Sequence, residues 1–331
     1  MRDTLVETDV IRNAVQLACR APSLYNSQPW HWVIEDTSVQ LFLDKDRVLY
    51  STDHSGREAL LGCGAVLDHF RVAIAAAGWK ANVDRYPNPN KSLHLASVDF
   101  SPMDFVTDGH RRRADAILLR RTDRLPFAEP PDWPAVESTL RRAVTSEAVR
   151  LDVVADELRP ELAEASKLTE ALRLYDSSYH SEMEWWTAPF EITDGIPPSS
   201  LVSAAEGDRV DVGRNFPVAR HAQERRTSFG QDHSKILVLS TVDNERVSVL
   251  ECGEMLSAVL LEATMAGLAT CTLTHITELQ ASRDVVAALI GQPTVPQLLI
   301  RVGLAPEIED VPPATPRRPV DEVLEIKSKN K

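Results

Sequence analysis

The chain runs to 331 residues and 36.7 kDa, with 43% hydrophobic and 26% charged residues, an ordinary globular composition with length enough for two domains. Thirty-six Lys and Arg stand against 49 Asp and Glu, a net charge of −13; this argues against a nucleic-acid partner, although a local arginine cluster can still hold a small anion. No run of about 18 apolar residues predicts a membrane span, Met1–Glu7 lacks the apolar core of a signal peptide, and Cys19, Cys63, Cys252 and Cys271, without C-x-x-C spacing, predict reduced thiols in a cytoplasmic protein and no metal site.

In chain order, helical periodicity covers Thr8–Arg20, and strand-like runs follow at Trp30–Ile34 and Val39–Leu43. A long apolar helical pattern spans Arg57–Gly78, then comes a strand at Leu93–Val98. Helical patterns at Ala135–Ala143 and Glu157–Tyr175 bracket a strand at Leu151–Val154. A strand at Ile236–Thr241 precedes a second long apolar helix at Arg246–Gly267. Ser282–Ile290 and the strand Gln297–Val302 complete an α+β chain.

The two long helical patterns are copies. Aligned without a gap at an offset of 189, Arg57–Gly78 and Arg246–Gly267 share seven of 22 positions, including the pairs Cys63/Cys252 and Gly64/Gly253. A generic amphipathic helix has no need of a Cys-Gly pair, so duplication of one unit is the better reading. Ala188–His233 breaks the pattern: it is rich in Pro, Gly and charge, weakly periodic, and too long for an ordinary connection, so it reads as a lid or a floppy insertion. The proline run Val311–Pro319 is extended, and Ile326–Lys331 reads as a frayed tail.

No P-loop, H-E-x-x-H, G-x-S-x-G or G-x-G-x-x-G occurs. Three segments carry chemistry instead. Ala21–Trp30, APSLYNSQPW, is a proline-stiffened loop of hydroxyls and amides able to hydrogen-bond the edge of a planar heterocycle, or else a plain helix-to-strand turn. Arg120-Arg121-Thr122-Asp123-Arg124 packs three arginines and a hydroxyl into five residues; guanidinium forks suit phosphate oxygens, and a solvated charge run is the alternative. Pro316-Arg317-Arg318-Pro319 presents two more arginines on a stiff segment, or merely a basic spot on a tail.

Together the A-P-S-x-x-N-S-Q-P-W run, the R-R-[ST]-x-R run, Gly267-Leu268-Ala269-Thr270 entering a strand, and Arg301-Val302-Gly303 with Pro316–Pro319 resemble the nitroreductase-like flavoproteins, and within them the actinobacterial, dormancy-associated Acg type. The resemblance spans about residues 8–324. It implies the nitroreductase-like fold and FMN as cofactor. It further implies that Arg120, Thr122 and Arg124 hold the phosphate and polar ring edge, joined by Arg317 with Arg318 adjacent. Pro22, Ser23, Leu24 and Asn26 would reach the flavin from the other unit. The strand after Gly267–Thr270 would bring Thr272, Thr274 and His275 past the reactive side of the ring, with His275 a candidate proton donor; no catalytic residue is otherwise named, since the flavin carries the chemistry.

The arginine motif occurs only in the second half and the loop only in the first; a second loop is sought at Leu174-Tyr175-Asp176-Ser177, offset 150 from Leu24–Ser27. The expectation is therefore two tandem units, 1–107 and 108–331, forming an intramolecular pseudo-dimer with one FMN, monomeric, and with 188–233 as its lid. NADH or NADPH would be the donor and a nitroaromatic or quinone the acceptor. The competing reading is a protein that sequesters FMN under the lid without turnover; a relative that has lost the cofactor is the third.

Overall fold

The computed structural model describes residues 5–188, 193–218, 224–227, 230–305 and 313–327. Met1–Thr4, parts of the 188–233 insertion, the start of the proline run at 311 and the end of the 326–331 tail lie outside the described residues.

The order of elements is α1 (Thr8–Ala18), β1 (Trp30–Glu35), β2 (Ser38–Leu43), α2 (Arg57–Ala76), β3 (Trp79–Arg85), β4 (His94–Pro102), α3 (Asp108–Leu119), α4 (Trp133–Ala143), β5 (Val149–Val153), α5 (Arg159–Arg173) and α6 (Ser177–Trp186). A one-turn α7 (Ala204–Gly207) follows within the insertion. Then come β6 (Lys235–Thr241), α8 (Arg246–Met265), β7 (Ala269–Leu273), the short α9 (His275–Glu278), α10 (Gln280–Ile290), β8 (Val295–Gly303), a one-turn α11 (Val320–Val323) and β9 (Leu324–Lys327).

Two sheets result. The first runs β3-β4-β2-β1-β9 and the second β7-β8-β6-β5. Strip β9 from the first, and the two have the same order: each begins with the strand that leaves a long central helix, and every neighbouring pair is antiparallel. β9, from the far end of the chain, adds parallel to β1, pairing Leu324 with Trp32 and Lys327 with Glu35.

The central helices α2 and α8 lie against each other because two glycines let them. A Cβ on Gly64 would run into the Leu250 carbonyl and lie 2.8 Å from Gly253 Cα; one on Gly253 would run into the Leu61 carbonyl. These are the paired positions of the sequence repeat. Around them a continuous apolar core draws on both sheets, with Trp32, Leu41, Leu67, Leu237, Leu260 and Ile300 all buried. Arg57–Ala76 is by length and composition apolar enough to cross a membrane (mean hydropathy 1.5), against the expectation that no such stretch exists. Most of the helix, 83% of its apolar window, is buried within the fold, so its apolarity is that of a core helix.

Two readings are corrected. α3 was not expected, because DGHRRRADAILL is too charged to show a clear apolar stripe; it is fixed by a Thr107/His110 capping box and by burial of Ala114, Ala116 and Ile117. Leu174–Ser177 precedes no strand: it joins α5 to α6. The segment that stands before β5 as the Ala21–Pro29 loop stands before β1 is residues 144–148.

Candidate functional site

The loop after α1 does not close by ordinary turn geometry. Tyr25, Asn26 and Gln28 all hold positive φ (49°, 59° and 51°), conformations that non-glycine residues adopt only under constraint. The constraint is visible. Asn26 Nδ2 donates to the carbonyls of Gly195 (3.0 Å) and Pro316 (3.1 Å), and Gln28 Nε2 donates to Thr193 O at 3.0 Å. Gln28 Oε1 accepts from the Arg318 amide at 2.9 Å. Insertion and C-terminal tail thus both clasp this loop. On its other side Gly62 of α2 leaves room for Ser23, whose Cβ lies 3.3 Å from where a Gly62 side chain would begin.

Beside the loop opens a cavity of about 650 Å³, within the range of small-molecule and cofactor sites. Pro22, Ser23, Leu24 and Tyr25 form one wall, with Glu58, Leu61 and Gly62 from the first turns of α2. Thr122 and Arg124 of the arginine motif, Leu256 of α8 and Cys271–Thr274 along β7 face them. The motif is anchored there by a bridge between Thr122 and Thr270 and by the Asp123 amide donating to Thr270 O at 3.0 Å. α5 contributes Ser166, Lys167 and Glu170, and the insertion supplies a further wall that includes Ile196, Val202, Asp208, Arg214 and Phe216.

Of the residues singled out in the sequence, Pro22, Ser23, Leu24, Thr122, Arg124, Thr272 and Thr274 line this cavity; Asn26, Arg120, His275, Arg317 and Arg318 do not. Asn26 is consumed in clasping the loop. Arg318 turns its backbone to Gln28 and its guanidinium to the Glu322 carbonyl at 3.1 Å. His275 is 1% exposed, its Nε2 sits 2.8 Å from Ser166 Oγ, and burial followed by the Arg214 charge holds its pKa well below 6.5. A neutral, enclosed imidazole is not the proton donor the sequence suggested.

Arg120 and Arg317 meet behind the loop. Both donate to the Arg20 carbonyl, at 3.1 and 3.2 Å, and Arg317 also binds the carbonyls of Cys19 (2.8 Å) and Pro316 (2.9 Å). Burial and the neighbouring guanidiniums push Arg317 down to about 9; burial and Arg20 push Arg120 down to about 10. Among the described residues Arg20, Arg120 and Arg317 have no carboxylate partner, and Arg120 Nε has no hydrogen-bond partner. Guanidiniums do not shed protons in proteins, so such a cluster is stabilised by an anion. Arg124 repeats the theme inside the cavity: half-buried, its pKa lowered by desolvation, it has among the described residues one hydrogen bond, to the Ser200 carbonyl at 3.3 Å, and stacks over Phe216 at 4.9 Å. The donor set fits a phosphorylated, flat cofactor such as FMN.

Four residues of the site were missed in the sequence. Arg214 of the insertion is ion-paired to Glu278, and donates to Thr274 Oγ1 (3.0 Å), Tyr25 Oη (2.8 Å) and Tyr179 Oη (3.0 Å). Phe216 packs edge-on against Tyr25 at 5.9 Å. No local pattern announces either. Glu58, 3% exposed, is the fourth, and it had a signal: the repeat sets this carboxylate opposite Val247 in an otherwise apolar helix.

No family model matches the chain. A Mycobacterium tuberculosis protein named "Putative NAD(P)H nitroreductase acg" is 75% identical over 330 residues, covering 100% of this chain and 99% of that protein. A second protein of that organism, whose name is likewise that of an NAD(P)H nitroreductase, is 35% identical over 327 residues, with 96% and 92% covered. Among solved structures, a protein described as "a putative nitroreductase" from Anabaena variabilis has a TM-score of 0.49 at 10% identity, covering 91% of this chain and 74% of that one. NfnB from Mycobacterium smegmatis, solved in complex with NADPH, has a TM-score of 0.39 at 17% identity, covering 67% and 100%. The assignment rests on the sequence relatives: three-quarters identity across both full lengths makes this chain a member of the nitroreductase family, of the Acg type.

Proposed function

We propose that the chain binds one FMN in the cavity beside the Pro22–Leu24 loop and uses NADH or NADPH to reduce an electron-poor acceptor, a nitroaromatic or a quinone. The observation that carries this reading is a set of arginines without carboxylate partners among the described residues, half-buried Arg124 within the cavity and, behind its loop, buried Arg120 with half-buried Arg20 and Arg317. Arg124 and Thr122, on the cavity wall, would hold the polar groups of the flavin, and Arg120 and Arg317, outside the lining, would brace the loop from behind through the Arg20 carbonyl. Pro22, Ser23 and Leu24 would flank the ring, and Thr272–Thr274 would pass its reactive side. The bound flavin supplies hydride acceptance and return. Protein groups orient it and keep water out. Four buried free thiols suit a reducing compartment such as the cytoplasm.

The one-flavin count follows from reading the two sheets as duplicated units, an intramolecular pseudo-dimer. Gly64 and Gly253 exchange roles across the helix pair with Leu61 and Leu250, all at the 189 offset, and Ser257 donates to its counterpart Asp68 at 2.6 Å. Apply the same offset to Gly62, which gives the loop its room, and the position is Glu251, bonded to Ser146 and 4.0 Å from Arg85. Arg85 in turn grips the buried Glu254 at 2.7 Å. Side chains and ion pairs fill the second position where the first is open, which supports the reading of one site per chain and a monomer.

A second reading has its own observation. The insertion is a wall of the cavity, bolted down by the buried Arg214–Glu278 pair, and a wall that stays shut would sequester FMN. An anaerobic visible spectrum before and after NADPH separates the two. Prompt bleaching supports the reductase. A flavin that bleaches with dithionite alone supports sequestration. Absence of flavin after reconstitution ends both readings.

A further inference from the structure

Among the groups that line the cavity, one has chemistry that the flavin reading leaves unused. Glu58 sits in the first turn of α2 and lines the cavity beside Leu61 and Gly62. Its Oε1 accepts from Arg57 Nη2 at 2.9 Å. Its Oε2 is buried and has no hydrogen-bond partner among the described residues. A carboxylate oxygen left bare in that way costs several kcal/mol, whereas a carboxylic acid presents one O–H that can be spent on a ligand.

The surroundings favour the acid. Burial pushes the Glu58 carboxyl well above its ordinary 4.5, and the Glu278 charge pushes the same way, as does Asp53. Arg57 and Arg214 oppose, as does the helix N-terminus. Each cation has other work: Arg57 also donates to the carbonyls of Gln297 and Thr277 and to the Thr277 hydroxyl, and Arg214 is paired to Glu278. The other ionisable groups on the cavity wall are Tyr25, Arg124, Lys167, Glu170, Asp208, Asp211, Cys271 and Arg301. Glu58 differs from the acids among them in its bare oxygen: its pair with Arg57 engages Oε1 alone, whereas Asp211 meets Arg159 through both oxygens and Glu170 accepts from the Asn215 amide and is more open to water.

Two-electron reduction of a quinone by NAD(P)H consumes one proton beyond the hydride: NAD(P)H + H⁺ + quinone gives NAD(P)⁺ + hydroquinone. We propose that Glu58 is the proton donor to the acceptor: its Oε2–H gives the proton to the carbonyl oxygen of a quinone, or to a nitro oxygen that leaves as water, as the hydride arrives, and water reprotonates the carboxylate left behind. The proposal rests on the reductase reading and names the protein group that reading lacks, His275 being enclosed and neutral.

The test has two readouts. An infrared difference spectrum between wild type and Glu58→Gln, taken at about pH 8 where an ordinary Glu is ionised, should show the C=O stretch of a protonated carboxyl that shifts in D₂O; Glu58→Asp should retain such a band at a displaced frequency. In the second, dithionite-reduced protein is mixed with a benzoquinone under anaerobic conditions. Glu58→Gln should be reoxidised about a hundredfold more slowly, the scale of general-acid catalysis, with flavin content unchanged, and Glu58→Asp should recover part of the rate. Absence of the carboxyl band in wild type overturns the proposal, as does a Glu58→Gln variant that reoxidises at the wild-type rate. If instead wild type holds no flavin or fails to reduce the quinone, the reductase reading has failed, and the infrared band still reports whether Glu58 carries its proton.

Discussion

Arg124 presents the sharpest single-residue case, because removing it should cost binding and little else. Among the described residues it makes one carbonyl hydrogen bond, one stacking contact with Phe216 and no ion pair, so Arg124→Ala should lower the melting temperature of the flavin-free protein only slightly. A charge-assisted contact is worth about 1.5–3 kcal/mol, so FMN affinity should fall about ten- to a hundredfold, measured by quenching of flavin fluorescence on titration. His69 belongs to the fold instead. Its Nδ1 lies 2.8 Å from Ser257 Oγ at the α2–α8 contact, and burial, with Arg120 and Arg317 nearby, holds its pKa well below 6.5. Above pH 6.5 neither folded nor unfolded state protonates it. As pH falls below 6.5 the unfolded chain takes up a proton that the folded one refuses, so stability drops by up to about 1.4 kcal/mol per pH unit from this group. His69→Gln should flatten the acid limb of a denaturant-midpoint profile between pH 6.5 and 5; an unchanged slope would mean the ring is charged in the fold.

At the scale of elements the pairing of α2 with α8 dominates. Gly64→Ala or Gly253→Ala each drives a methyl into the facing backbone, where no rotamer change can help, so the helices must part. Each should destabilise by about 1–3 kcal/mol, read as a fall in the thermal midpoint, and the double variant should be no milder than either single one. These two helices were plain in the sequence because every turn carries apolar residues and because the same cysteine and glycine recur at one offset. The same reasoning could not find α3, whose charges blur its stripe, nor the second equivalent of the Ala21–Pro29 loop, which was sought by residue likeness at Leu174 and lies by topology at 144–148. The cavity was legible by half. Its loop and arginine motif are contiguous in the chain and so show as motifs. Arg214, Phe216 and Glu278 are gathered from segments without periodicity, and their meaning is made only by packing. Arg120 and Arg317 were both singled out in the sequence, but their meeting behind the loop, on the carbonyl of Arg20, depends on where a tail 200 residues downstream comes to rest.

Over the whole molecule, the one-site reading makes a stoichiometric prediction. Saturated protein should hold one FMN per 36.7 kDa chain by absorbance against amino-acid analysis, and light scattering should return the monomer mass. Two flavins per chain would show that the Glu251–Ser146 and Arg85–Glu254 contacts do not close the second position. Deletion of residues 313–331 makes a complementary case. It removes Arg317 and Arg318 from the loop and strips β9 from β1, leaving a strand edge bare. The truncated chain should lose flavin on gel filtration and aggregate at lower temperature than the full-length protein.

The clasp around Tyr25–Gln28 also sets a schedule for biosynthesis. The loop stands at residues 21–29, yet it is held in its left-handed turns by Thr193 and Gly195 of the insertion and by Pro316 and Arg318, 290 residues away along the chain. During synthesis this loop cannot be clasped, nor the edge of β1 covered, until residues 316–327 have emerged. On the proposed reading, capture of a flavin waits for that stretch, and a chain cut short of it presents an unclasped loop.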